Sequence, residues 1–273
     1  MEWILLMVIG LAAGTLGSLV GLGGGIIIVP ALIYFGTYTT FLPEISPQIA
    51  VGTSLVVIIF TGLSSTVTYV KYKTVDYKSG FIFLIGSGPA GIIGALINKF
   101  LDMQLFSIYF GMFMMFVSIV LIFKEKLKPI EKKRMTGIIR TYKNEDGIET
   151  TYGYHPVLGI IVAFIVGLFS GLFGIGGGSL MVPAMIILFL FPPHVAVATS
   201  MFMIFLSSIV SSIAHISMGN VDWLFALALI PGAWIGGRFG AKINTKLTSN
   251  TVVHLLRAIL IIIGIRLIYQ GIA

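Results

Sequence analysis

Long apolar stretches alternate with short polar connections along the whole chain. Stretches of about 20 apolar residues have the length of a helix that crosses a bilayer. Charged residues are almost confined to the connections, so the pattern predicts membrane helices. The apolar segments run over residues 3–20, 26–36, 47–70, 79–98, 105–123, 157–173, 179–191, 195–217, 222–241 and 251–270.

Two of these segments, 26–36 and 179–191, are too short to cross a bilayer comfortably. Each follows a cluster of glycines. We therefore predict that 3–36 and 157–191 each form a helical hairpin or a re-entrant element that is broken at the glycines. Non-helical backbone at membrane depth is tolerated only where protein or a watery cavity surrounds it.

The composition identifies lipid as the solvent of this protein. The chain has 273 residues, of which 57% are hydrophobic and 10% are charged, and its mean hydropathy is +1.06. A soluble domain of this length could not bury so much apolar surface. We predict an all-α polytopic membrane protein. The absence of cysteine excludes disulfides, thiol catalysis and cysteine-based metal sites.

A glycine-rich motif occurs twice, once in each half of the chain. Residues 21–31 read GLGGGIIIVPA, and residues 174–184 read GIGGGSLMVPA. A second motif, AVGTS at 50–54, returns as AVATS at 196–200. Two Gly-broken apolar segments favour a membrane transporter built from two repeats, whose interrupted segments form the binding site.

These motifs divide the chain into three parts. We predict a first transmembrane repeat over 1–123, a basic cytoplasmic loop over 124–156 and a second transmembrane repeat over 157–273. Each repeat then contains five apolar segments. Toward the end of the fourth segment of each repeat, Gly94 aligns with Gly236.

Positive charge is concentrated in the connection between the two halves. A nucleic-acid-binding patch is one interpretation, but in a membrane protein the positive-inside rule favours a cytoplasmic loop. We therefore expect membrane lipids as partners and no nucleic acid. The basic residues of this stretch are Lys124, Lys126, Lys128, Lys132, Lys133, Arg134, Arg140 and Lys143.

The remaining loops orient the two halves in opposite directions. The loops at 71–78 and 242–250 are basic and are placed inside, whereas 218–222 has no Lys or Arg and is placed outside. One member of each equivalent loop pair is therefore basic and the other is not, as two inverted-topology repeats require. Both termini then lie outside.

The glycine clusters are the first candidate binding element. Consecutive glycines allow a sharp turn and leave amides bare, and a helix that begins there offers free N–H groups and a positive dipole end to an anion. Pro30 and Pro183 are expected near the first turn of that helix. Close helix packing is the alternative interpretation. The candidate substrate-binding glycines are Gly23, Gly24, Gly25, Gly176, Gly177 and Gly178.

Hydroxyl side chains are the second candidate element. In the third segment of each half they follow spacings of seven and four residues, which places them on one helix face. Such a face either presents donors to a central cavity or bonds its own backbone and neighbouring helices. The two stripes are Ser54, Thr61 and Ser65, and Ser200, Ser207 and Ser211. The candidate substrate-binding hydroxyls are Thr53, Ser54, Thr199 and Ser200.

Acidic residues lie only at the ends of the apolar segments or between them. A buried carboxylate that could hold Na⁺ or H⁺ is therefore missing, and a cationic substrate would find no countercharge. An anion would find helix ends, hydroxyls and a basic cytoplasmic mouth. We expect a small anionic substrate, with any coupled proton carried on the substrate itself, and we predict no catalytic residue, metal site or cofactor.

Two other classes of protein fit parts of the sequence. An intramembrane hydrolase would use Ser179 with His215 or His254, but then the second glycine cluster has no purpose. A membrane scaffold would not require two matched glycine breaks. We therefore expect a transporter and not an enzyme.

With these motifs assembled, the chain resembles the TauE/SafE family of membrane permeases, also described as sulfite exporters. The resemblance implies export or uptake of small sulfur-containing anions, such as sulfite or organosulfonates, across the cytoplasmic membrane of a prokaryote. It does not select one anion, and a permease for another small metabolite anion is the alternative. The residues that carry it are 14–31, 51–54 and the helix of Pro89, and their partners 171–184, 197–200 and the helix of Pro231.

Reporter fusions test the predicted topology. Alkaline phosphatase, which is active only outside the cytoplasm, should be active when fused after residue 220 or residue 273 and inactive after residue 75 or residue 246, because the Lys/Arg bias places the basic loops inside. A C-terminal fusion that reports a cytoplasmic location would contradict the inverted arrangement.

Overall fold

The protein is mostly helical. The computed structural model describes residues 2–38, 43, 45–123, 137–143, 149–247 and 249–272. The helices α1 to α10 are Glu2–Val20, Gly25–Tyr38, Pro47–Lys71, Tyr77–Asn98, Met103–Phe123, Pro156–Phe173, Gly178–Ile187, Pro193–Ser217, Trp223–Asn244 and Ser249–Ile272. The strands β1 and β2 are Ile138–Lys143 and Glu149–Tyr154.

Each of the ten apolar segments contains one helix, and the lengths of the helices differ as expected. Six of them, α1, α3, α4, α6, α8 and α9, are long and apolar enough to cross a membrane. Helix α2 has 14 residues and α7 has 10, which correspond to about 21 and 15 Å. The hydrocarbon core of a bilayer is ~30 Å thick. The chain is an integral membrane protein whose two short helices cannot cross the bilayer alone.

Local capping explains where the long helices begin. Asp76 and Asp222 are the N-caps of α4 and α9, and each carboxylate accepts the amide three residues further on, at 3.2 and 3.0 Å. Pro47, Pro156 and Pro193 occupy the first positions of α3, α6 and α8, where a missing N–H removes no helical hydrogen bond.

The main helix pairs join one half of the chain to the other. Helix α1 packs along α9 and α6 packs along α4, while α3 contacts α8 and α5 contacts α10. Helices α3 and α8 have most of their residues buried, so the core of the protein lies along this central pair.

Glycine ridges allow the outer pairs to approach closely. A Cβ added to Gly94 would overlap the carbonyl oxygen of Leu168 on α6, and one added to Gly240 would overlap that of Thr15 on α1. These two contacts are equivalent, so Gly94 corresponds to Gly240 and not to Gly236. The expected alignment was one helical turn out of register, because small residues recur every four positions in both ridges and only the partner helix distinguishes the turns.

A β-hairpin is the feature that the prediction of an all-α protein missed. It lies within the stretch predicted as a basic loop, of which residues 124–136 and 144–148 are outside the described residues. Strand β1 pairs antiparallel with β2, with Ile138 opposite Tyr154 and Lys143 opposite Glu149. The threonines and tyrosines of both strands favour extended backbone. The stretch was predicted as a loop from its basic charge, and the alternation of half-buried and exposed residues along β1 was overlooked.

The hairpin is docked on the helices. The amide of Gly153 donates to the carbonyl oxygen of Phe189 at 3.1 Å. The ring of Tyr154 packs against those of Phe83 and Phe189, with 5.0 Å between ring centroids in each pair. These contacts fix the hairpin against α4 and the connection between α7 and α8.

Two substitutions in one helix separate ridge packing from a general effect of losing glycine. Gly94→Ala should lower the melting temperature of the purified protein by several degrees, because overpacking costs roughly 1–3 kcal/mol. Gly88→Ala in the same helix should not, because its Cβ would meet only side-chain carbons at 3.7–3.9 Å. Equal melting temperatures for the two variants, measured in detergent, would contradict the ridge assignment.

Candidate functional site

The two glycine clusters meet each other in the interior. A Cβ added to Gly25 would overlap the carbonyl oxygen of Gly174, and one added to Gly178 would overlap that of Gly21. The two backbones therefore cross in opposite directions and in direct contact. All of the predicted glycines of both clusters are buried.

The conformation of the crossing segments requires glycine. Gly23 and Gly24 have φ of +83° and +99°, and Gly176 and Gly177 have φ of +75° and +77°. Residues with a Cβ rarely adopt this left-handed region. Gly25 and Gly178 are the first residues of α2 and α7, so each helix begins at this crossing point.

Several backbone amides at the crossing have no hydrogen-bond acceptor. The amides of Leu22 and Gly23 donate to the carbonyl oxygen of Gly17 at 2.7 and 3.3 Å. The amides of Gly24, Gly25 and Ile26 find no acceptor among the residues that the structure describes, and in the second cluster the same is true of Gly176, Gly177 and Gly178. Buried unpaired amides are rare in proteins, and at a helix N-terminus they favour an anion.

The proline positions differ slightly from expectation. Pro30 and Pro183 are the sixth residues of α2 and α7, inside the helices rather than in the first turn. Each therefore removes the helical hydrogen bond to the residue four positions earlier, which leaves the start of both short helices less tied to its own backbone.

Two serine hydroxyls close the glycine turns reciprocally. Ser54 Oγ donates to the carbonyl oxygen of Gly174 at 2.8 Å, and Ser200 Oγ donates to that of Gly21 at 2.9 Å. Each serine thus holds the turn of the other half. In this conformation both protons are directed to protein carbonyls, and Ser54 Oγ also lies 2.8 Å from the carbonyl oxygen of Val51.

The neighbouring threonines are paired in the same reciprocal way. Thr53 Oγ1 accepts the amide of Asp222, and Thr199 Oγ1 accepts the amide of Asp76, both at 3.0 Å. The structure therefore brings all ten predicted site residues to one buried region. The threonines connect it to the helix caps of α4 and α9.

Two isoleucines fill the space at the centre of the crossing. Ile58 and Ile204 each lie next to both Gly23 and Gly176, and a Cβ added to either glycine would be 3.0–3.2 Å from their Cγ2 atoms. Both isoleucines are fully buried. In this conformation apolar side chains occupy the space beside the bare amides.

Comparisons with known proteins match this architecture. The family model described as "Sulfite exporter TauE/SafE" matches residues 6–267. The chain belongs to the TauE/SafE family. "Probable membrane transporter protein YunE" of Bacillus subtilis (strain 168) is 58% identical over 272 residues, which are 100% of this chain and 99% of that protein.

More distant relatives carry the same description. "Probable membrane transporter protein MJ0441" of Methanocaldococcus jannaschii is 29% identical over 96% of this chain and 93% of its own length. A probable membrane transporter protein of Xylella fastidiosa (strain 9a5c) is 27% identical over 94% and 89%. No solved structure matches. The chain is thus a TauE/SafE membrane transporter, and the relatives' names indicate transport rather than an enzymatic activity.

Most of the remaining hydroxyls of the two stripes in this TauE/SafE protein bond their own helix backbone, which was the alternative to facing a central cavity. Thr61 Oγ1 and Ser65 Oγ donate to carbonyl oxygens of their own helix, at 3.4 and 2.7 Å. Ser207 does the same at 3.4 Å, whereas Ser211 Oγ has no partner in the described part of the chain.

Two asparagines that sequence analysis missed belong to the same reciprocal framework. Asn98 Nδ2 donates to the carbonyl oxygen of Leu172 at 2.8 Å, and Asn244 Nδ2 donates to that of Leu19 at 2.6 Å. They tie the ends of α4 and α9 to the last turn before each glycine break. The signal was present, because the two asparagines are separated by the same 146 positions as Asp76 and Asp222.

Of the residues in the hydrolase alternative, the structure describes the side chains of the two histidines. His215 Nε2 lies 3.1 Å from the carbonyl oxygen of Gly171, and His254 is exposed. The side chain of Ser179 is outside the described residues. Among the described residues, no group of three or more His, Asp or Glu side chains could hold a metal ion.

Ser54→Ala and Ser200→Ala should each weaken substrate binding by about ten- to a hundredfold. Each removes a donor from the glycine turns, and a hydrogen bond to a charged acceptor is worth roughly 1.5–3 kcal/mol. Ser65→Ala is the matched control, because its buried hydroxyl bonds only its own helix. Isothermal titration of the substrate anion into the three variants measures the affinities. Unchanged affinity in Ser54→Ala and Ser200→Ala would mean that these hydroxyls serve helix packing only.

Proposed function

We propose that this protein is a secondary transporter of small sulfur-containing anions, such as sulfite or organosulfonates, across the cytoplasmic membrane. The observation that carries the proposal is the set of buried amides without acceptors where α2 and α7 begin. Two helix N-termini directed to one region favour a negative charge and disfavour a cation. The family description adds sulfite as a candidate for the anion.

The charge distribution around the crossing supports an anion. Asp76 and Asp222 contact this region through their backbone amides, which donate hydrogen bonds to Thr199 Oγ1 and Thr53 Oγ1. Their carboxylates face the first turns of α4 and α9. Among the described residues a cationic substrate would therefore meet bare N–H groups without a nearby carboxylate, which is the opposite of what it requires.

We also propose that the halves are inverted-topology repeats that give alternating access to this region. Support comes from the reciprocal hydrogen bonds of Ser54 and Ser200, because an exchange of equivalent contacts is what a twofold axis between repeats produces. An arriving anion would accept these hydroxyl protons more strongly than a neutral carbonyl does. Each hydroxyl would then donate its hydrogen bond to the anion instead of the carbonyl, and the loss of these two bonds would release the turns as the site fills.

Flux into proteoliposomes tests the transport proposal. Wild-type protein should take up radiolabelled sulfite or an organosulfonate, and Gly24→Ala and Gly177→Ala should lower the flux by roughly tenfold or more. A Cβ at these positions strains the left-handed backbone by about 1–2 kcal/mol. It would also lie 2.8 Å from the carbonyl oxygen of Ala13 at Gly24 and 3.2 Å from Val166 at Gly177, so the turn that presents the amides would be displaced. Gly219→Ala is the matched control: its φ is +74° as well, but no atom lies within 4 Å of the added Cβ.

The outcomes separate the alternatives. Wild-type flux in both cluster variants would contradict the amide site. Flux of carboxylates with none of sulfite, thiosulfate, taurine or sulfoacetate would replace the substrate class with another small metabolite anion. Absence of flux for every anion in folded protein would contradict the transporter proposal itself.

A further inference from the structure

A polar cavity of about 320 Å³ lies between the hairpin and the turn that connects α3 to α4. Of the described residues that line it, Lys73, Lys78 and Arg140 are cationic and Asp76 is anionic. The cavity is separate from the glycine crossing, and it lies on the side of the protein that the charge pattern places in the cytoplasm.

The carboxylate in this cavity is already fully engaged. Asp76 Oδ1 pairs with Arg140 Nη1 at 2.7 Å, and Asp76 Oδ2 accepts the hydroxyls of Ser79 at 2.7 Å and Tyr152 at 3.2 Å. Burial raises the pKa of Tyr152, so the phenol stays protonated and remains a donor at physiological pH. Asp76 therefore offsets one of the three cations, and the cavity keeps an excess of positive charge.

Arg140 keeps unused donors in this arrangement. Its only ion pair among the described residues uses Nη1, and its buried Nε has no acceptor there. The side chain is 27% exposed and lines the cavity. A planar guanidinium with free N–H groups is the side chain best suited to a carboxylate, phosphate or sulfate group.

The backbone of Lys73 is unusual for its residue type. Its φ is +56°, in the region where glycine is normally found after the end of a helix. The equivalent position in the second half, 146 residues later, is Gly219 with φ of +74°. At the turn that lines the cavity, the first half thus has a lysine where the second half has the favoured glycine. The positive-inside rule accounts for basic charge on this loop, as at Lys71, but not for a strained backbone.

We propose that this cavity binds a small doubly charged oxyanion of the sulfate or phosphate type, held by Arg140, Lys73 and Lys78. The second half supports the assignment by contrast. Its equivalent turn keeps Asp222 but has Gly219 and Leu224 where the first half has Lys73 and Lys78. The oxyanion site is therefore a one-sided addition to an otherwise matched pair of turns.

The cavity is connected to the glycine crossing through two neighbouring residues. The amide of Asp76 donates to Thr199 Oγ1 at 3.0 Å, and the next residue, Ser200, holds the carbonyl oxygen of Gly21 at 2.9 Å. Asp76 thus links the cavity, where its carboxylate pairs with Arg140, to the part of α8 that holds the glycine turn.

Titration of inorganic sulfate into the purified protein tests the site. The titration is made in the Gly24→Ala background, in which the proposed central site is weakened. Sulfate should still bind to this variant, in the cavity beside the hairpin. Adding Lys73→Gly or Arg140→Gln should raise the dissociation constant of sulfate by roughly tenfold or more, because each removes a charged donor. Lys71→Gln, which changes a basic residue of the same loop outside the cavity, should leave it unchanged.

Lys73→Gly also separates a loss of sulfate binding from a loss of folding, because glycine is favoured in the backbone conformation of this position. It restores the glycine that the second half carries, so its melting temperature without sulfate should equal or exceed that of its parent. Wild-type sulfate affinity in both Lys73→Gly and Arg140→Gln would overturn the proposal. Loss of all sulfate binding in Gly24→Ala alone would also overturn it while leaving the proposed function intact.

A second arm identifies the source of the oxyanion. The titration is repeated in nanodiscs of phosphatidylcholine and of phosphatidylglycerol. Sulfate binding that persists in both supports a soluble oxyanion as the ligand. Binding that is present in phosphatidylcholine and lost in phosphatidylglycerol supports the phosphate of an anionic lipid as the occupant of the same cavity.

Discussion

Backbone polar groups inside a membrane need partners, and the architecture of this transporter follows from that constraint. Helices satisfy their own amides and carbonyls, but α1 and α6 end at Val20 and Phe173, within the protein, and a new helix begins a few residues later. The non-helical backbone at each break is tolerated because protein surrounds it and the two breaks lie directly against each other. The price of the arrangement is a set of amides at Gly24–Ile26 and Gly176–Gly178 with no acceptor in the described chain, which we interpret as the means of binding an anion.

The two halves stabilise each other by exchanging equivalent contacts. Ser54 and Ser200 each hold a carbonyl of the opposite glycine turn, and Asn98 and Asn244 each hold the last helical turn before it. A change at one break therefore alters the support of the other. The same buried hydroxyls that close the turns are the donors an anion would use, so closure and binding compete for the same protons.

Sequence reasoning located the helices and the turns at the glycines, because both depend on short-range patterns. Apolar segments reveal membrane helices directly, and consecutive glycines indicate positive φ wherever a turn must occur. Details that depend on a partner element were not accessible. The register of Gly94 against Gly240, the carbonyl partners of Ser54 and the docking of the hairpin on Phe189 are set by surfaces brought together only in the folded chain.

An experimental structure of the protein in the presence of sulfite tests the central claim most directly. We expect density for the anion within hydrogen-bonding distance of the amides that begin α2 and α7, with Ile58 and Ile204 displaced from the crossing. The hydroxyls of Ser54 and Ser200 should then point to the anion instead of Gly174 and Gly21. Sulfite bound elsewhere, with the glycine crossing still filled by the two isoleucines and both hydroxyls on the carbonyls, would contradict it.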